Sequence, residues 1–190
     1  MQTLGLSDST PRTESRLKSL FWPSVETGND VDYLGLQGYW VCTLIAVLSF
    51  CFLVKANLIN QIIAVVVFLF FYLGGVGVRQ RSIYAATIVF AMFLLDTAPV
   101  IRAGLTGAIV LRVLLLALLF SNARATWIAS RWRVNSEEAT IPPRLDETWG
   151  DKFSNRLPSW LWPKVRYPYY LFSAVLVALL IAGVLIRLFR

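Results

Sequence analysis

The chain has 190 residues, 57% of them hydrophobic and 15% charged, with a mean hydropathy of +0.62. Soluble domains are about 45–50% apolar and about 25% charged, so this composition excludes an ordinary soluble domain, as well as disorder, a disulfide scaffold, a collagenous chain and a coiled coil. The absence of histidine removes the commonest metal ligand, haem ligand and general base, so no histidine-ligated metal or haem can come from this chain.

Residues 1–38 read as a polar tail. It lacks an early apolar core, and Asp8, Glu14, Glu26, Asp30 and Asp32 oppose a signal peptide. A weakly amphipathic piece, Ser15 to Trp22, could rest on a membrane surface. A membrane span needs about 20 mostly apolar residues. Runs of that kind fall at Tyr39–Val54, Leu58–Val78, Ser82–Val100 and Gly104–Phe120. Short connections make successive runs antiparallel neighbours and give a four-helix region over 39–121. Ser82 is placed to cap the third helix.

Residues 122–168 form a longer polar connection. Ser121–Arg133 continues the fourth helix past the membrane, and ATIPP at Ala139–Pro143 breaks any helix. Leu145, Trp149, Phe153 and Leu157 then recur every four residues, which makes one apolar stripe. This predicts a helix lying in the headgroup plane, with a small self-packed cap as the alternative. Trp149, Phe153, Trp160, Trp162, Tyr169 and Tyr170 are the expected interfacial aromatics. A last span covers Tyr169–Ile186 within 169–190. The expected fold class is an all-α integral membrane protein with about five transmembrane helices and an amphipathic connection before the last.

Most Lys and Arg residues fall on the side holding the N-terminal tail, the second-to-third turn and the long connection. The positive-inside rule then predicts a multi-pass protein of the cell membrane, N-terminus cytoplasmic and C-terminus outside. Topology alone accounts for the net charge of +7, so no nucleic-acid partner is required.

Charges within a span are costly. Asp96 and Arg112 sit late in the third run and early in the fourth, at matching depth, and are the candidate intramembrane charge pair. They are either an ion, proton or anion site or a neutralised pair fixing helix register. Asn57, Asn60 and Gln61 cap and solvate the start of the second helix. GGVG at Gly74–Gly77 lacks the lysine of a phosphate loop and reads as close backbone packing. Ala174, Ala178 and Ala182 form a candidate helix-packing face, with packing inside the chain as the default. Cys42 and Cys51 lie on opposite faces of the first helix.

No catalytic constellation is legible, and no metal site. Ser–His–Asp and Cys–His devices are impossible, and only one acid lies in a span. The expectation is a non-enzymatic membrane protein: an accessory or scaffold subunit that packs against membrane proteins or hydrophobic cofactors of unspecified identity. The alternative is a small oligomeric transporter or channel using Asp96 and Arg112. Expected partners are the lipid bilayer and a membrane protein or second copy.

Overall fold

The computed structural model describes residues 18, 21–25, 28–54, 58–102, 106–131 and 149–188. Their secondary structure is helical, with no strand among the described residues. Helix α1 spans Gly28–Leu53, α2 Leu58–Arg79, α3 Ile83–Arg102 and α4 Thr106–Arg131. A single turn, α5 (Trp149–Asp151), runs through a π turn at Lys152–Arg156 into α6, Leu157–Leu188. Among the described residues three helices are long and apolar enough to cross a membrane: Asp30–Leu53, Asn60–Arg79 and Ile109–Arg131. A shorter apolar stretch lies at Ile83–Thr97.

Helix α1 begins well before Tyr39, so residues 28–38 belong to the bundle and not to a tail. Two features explain the earlier start. Asp30 in the first turn complements the positive end of the helix dipole. Val31, Leu34, Gly35 and Gly38 are buried and continue, at helical spacing, the stripe that runs on through Cys42, Ile45 and Ala46. Polar residues on the other face had disguised that stripe.

Helix α2 is the centre of the packing. Every residue from Gly74 to Arg79 is buried, because α1, α3 and α6 all pack against this helix. Helix α4 closes the ring against α1 and α3. The glycines at the end of α2 make these approaches possible. A Cβ added at Gly75 would fall 2.7 Å from the Cβ of Cys42 on α1. At Gly77 it would fall 2.6 Å from the Ala85 Cβ on α3 and closer still to the Trp162 ring on α6. At Gly74 it would meet the Tyr169 hydroxyl at 2.6 Å and crowd Val89 more closely still. Real Cβ atoms do not come so near their neighbours, so backbone contact replaces side-chain contact on three sides of one helix.

The turn from α2 to α3 is a Schellman motif. Ser82 N–H bonds the Gly77 carbonyl (3.0 Å) and Arg81 N–H bonds the Val78 carbonyl (3.0 Å). Arg81 takes the left-handed conformation, φ 58°, which for a residue with a Cβ costs about 1–2 kcal/mol. Ser82 then caps α3 as its sequence position suggests, its Oγ accepting from Ala85 N–H at 3.3 Å. The same oxygen shares a hydrogen bond of 2.7 Å with the Tyr170 hydroxyl, which ties α6 to this corner.

Helix α4 runs unbroken to Arg131, as the sequence implies for Ser121 onward. The segment after it departs from expectation. From Trp149 the chain is continuously helical to Leu188, without a separate surface helix ahead of a span at Tyr169. Leu145 lies outside the described residues. Trp149 is 83% exposed, while Phe153 and Leu157 pack against the core. Ser154 and Asn155 point inward and are buried. This stretch is therefore anchored to the bundle by its polar side as well as by its apolar stripe.

Candidate functional site

Two clusters of charge stand out, one at each end of the helical hairpins. The first lies where the start of α1 meets the end of α2. Arg79 is only 2% exposed, in the last turn of α2, where a cation suits the negative end of the dipole. Its Nε donates to the Ser154 carbonyl (3.2 Å) and its Nη1 to the Asp32 carbonyl (2.9 Å). Its Nη2 donates to Asp32 Oδ2 (3.1 Å) and Asn155 Oδ1 (2.5 Å). Nη1 also lies 2.9 Å from Asp32 Oδ1. Each of the guanidinium N–H groups thus has an oxygen in reach, the condition under which a buried charge is tolerated.

Local sequence explains the geometry. Pro158 stands four residues after Ser154 and has no N–H to give the Ser154 carbonyl. That carbonyl turns to Arg79 instead. Arg81 adds a second cation to the same carboxylate, with Nη2 3.1 Å from Asp32 Oδ1, and also donates to the Gly28 carbonyl at 3.4 Å. Asp32 therefore bridges two arginines, one buried and one in the strained turn. Nearby, Asn122 of α4 donates to the Leu34 carbonyl at 2.8 Å. Arg124 bonds the Pro23 carbonyl at 3.0 Å and lies over the Trp22 ring, 4.5 Å from its centroid. The Arg79 guanidinium is fully engaged here, whereas Arg81 Nε, Gln80 Nε2 and Ser121 Oγ are buried without a hydrogen-bond partner among the described residues.

The second cluster is Asp96 with Arg112, which the structure brings into contact. Arg112 Nη1 lies 2.5 Å from Asp96 Oδ2 and 3.0 Å from the Asp96 carbonyl. The guanidinium carbon is 5.6 Å from the Phe93 ring centroid. The pair faces outward, with Asp96 59% and Arg112 26% exposed along their side chains. The hydroxyls of Thr87 and Thr97 bond carbonyls of their own helix, Ile83 at 2.8 Å and Phe93 at 2.7 Å.

The remaining predicted residues divide. Trp149 and Trp160 are exposed, as interfacial rings would be. Trp162 and Tyr169 are buried, their rings lying against the glycines of α2. Phe153 and Tyr170 are partly buried against the core. Ala174, Ala178 and Ala182 are all exposed, and an added Cβ at neighbouring Gly183 would meet nothing within 4 Å. The default of packing within the chain is overturned, because α6 meets the bundle through Trp162, Tyr169 and Phe172 on another face. Cys42 is buried and Cys51 exposed, on opposite faces of α1.

Sequence reasoning missed Asp32, Arg79, Arg81, Ser154 and Asn155. Among the described residues, no group of three or more Cys, Asp or Glu side chains could hold a metal. Comparison with family models, with curated proteins and with solved structures finds no match to this chain.

Proposed function

We propose that this chain is a multi-spanning, non-catalytic protein of the cell membrane that serves as an accessory or scaffold subunit for another membrane protein. In this reading α3 and α6 complete a set of five spans. The end bearing Arg79, Arg81, Arg124 and Arg131 faces the cytoplasm, and the C-terminus lies outside. The observation that carries it is the outer half of α6. There Ala174, Ala178, Ala182 and Gly183 present an exposed face that no helix among the described residues covers. Small residues of this kind let a second backbone approach closely in lipid.

Gentle purification from native membranes tests this reading. A stoichiometric membrane partner, lost on Ala178→Trp while the protein's membrane level is kept, is the expected result. Recovery as a lone homo-oligomer would refute it.

One observation favours a second reading, a small oligomeric transporter or channel. The Asp96–Arg112 pair faces out of the protomer, so a path using it would form between copies. That reading requires Asp96→Asn and Arg112→Gln to abolish flux in reconstituted vesicles while assembly is unchanged.

A further inference from the structure

Two sets stand out among the cations of the described residues. Arg79, Arg81 and Arg112 are each held by a carboxylate. Arg131, Lys164 and Arg166 are exposed, and among the described residues none is ion-paired with an acid. Each lies on an exposed aromatic ring instead. The Arg131 guanidinium carbon is 3.6 Å from the Trp127 centroid, Lys164 Nζ is 3.8 Å from Trp160, and the Arg166 carbon is 4.5 Å from Tyr167. Arg166 also donates to the Tyr167 hydroxyl at 2.9 Å.

These pairs share one end of the bundle. Arg131 ends α4 beyond Asn122, which bonds the Leu34 carbonyl near the start of α1, and Lys164 and Arg166 lie between Asn155, held by Arg79 at the end of α2, and Tyr170, held by Ser82 in the turn that follows it. They do not share a face, since α4 packs on α1 and α3 while α6 packs mainly on α2. The arrangement is a belt. Trp and Tyr rings prefer the headgroup layer of a bilayer. A cation laid on such a ring is held at that depth yet keeps its outward N–H groups free for an acceptor.

We propose that this belt binds the phosphates of anionic phospholipids in the surrounding leaflet, selecting them over zwitterionic lipid. Charge complementarity decides the occupant: cations with no carboxylate among the described residues, laid on interfacial rings of two separate helices. The inference rests on the chain being embedded in a bilayer, which retention in membranes after an alkaline wash tests by itself.

The experiment compares spin-labelled phosphatidylglycerol with spin-labelled phosphatidylcholine at the full-length protein in phosphatidylcholine bilayers. One cation at an anionic surface corresponds to about fivefold in affinity. The expected result is a preference of about that size or more for the anionic label, weakened by salt and lost in Arg131→Gln/Lys164→Gln/Arg166→Gln. Equal association of the two labels overturns the proposal, as does selectivity that survives in the triple variant. Displacement of the anionic label by soluble glycerol phosphate overturns it too, because the site would then be one for free phosphate. Should the variant fail to fold, the salt dependence of the unaltered protein decides the matter.

Discussion

Asp32 and Arg79 meet across the first hairpin because they stand equally far, in sequence, from the turn between α1 and α2. The aspartate sits near the positive end of α1 and the arginine at the negative end of α2. Each charge therefore suits its own helix terminus as well as its partner. The contact is buried on the arginine side, and α6 is attached through the same guanidinium.

Removing Arg79 takes away the buried guanidinium that Asp32, Asn155 Oδ1 and the Ser154 carbonyl share. Breaking a buried pair on one side costs about 3–5 kcal/mol. Arg79→Ala should therefore lose most of its folded fraction in thermal scans in detergent. Arg79→Lys should recover only part of the loss, since lysine cannot reproduce the planar fork. A lysine variant as stable as the parent would show that charge alone suffices.

The glycine contacts on α2 give a second expectation. Gly77→Ala and Gly74→Ala each force backbone or ring movement, and overpacking of this kind costs about 1–3 kcal/mol. Gly183→Ala meets open space and should leave the unfolding midpoint unchanged. Equal effects at Gly77 and Gly183, read by the same thermal assay, would contradict the packing described.

Arg81 combines a strained backbone with an ion pair to Asp32. Arg81→Gly relieves about 1–2 kcal/mol of left-handed strain and gives up a partly exposed pair of smaller value, so its stability should match or slightly exceed the parent. Arg81→Val loses the pair and keeps the strain, and should be clearly less stable. Chemical denaturation of both variants in one detergent checks the order.

For Asp96 and Arg112 the structure predicts coupling. Each single neutralisation, Asp96→Asn or Arg112→Gln, leaves the other charge unpaired and should lower the yield of folded protein. The double variant should recover it if the pair serves helix register. A loss of flux with unchanged yield would instead favour the transport reading.

The two cysteines offer a direct test of burial. Maleimide should label Cys51 in the folded protein and reach Cys42 only after denaturation, because Cys42 is packed against Gly75. Labelling of both thiols under native conditions would overturn the placement of α1 against α2.

Counting residues from a turn located the Asp96–Arg112 contact in the sequence, since both helix ends there are marked by apolar runs. The same count would have found Asp32 and Arg79, but it needs α1 to start at Gly28. Hydropathy placed that start at Tyr39, because polar residues share the first turns with the buried stripe. The GGVG segment was legible as a close-packing element, yet which helices approach it was not. Trp162 and Tyr169 looked like interfacial rings by position and fill that contact instead.

Sequence alone determined that the described residues are helical and apolar enough for a membrane, where the second, third and fourth helices run, that Ser82 caps the third, and that Cys42 and Cys51 face apart. These follow from local composition and from the 3.6-residue period, both carried within single segments. Tertiary structure decided the burial of Arg79, the inward turn of Ser154 and Asn155, and the exposure of the Ala174–Ala182 face. Those depend on which helices touch, and contacts between segments far apart in the chain leave no periodic trace in either one.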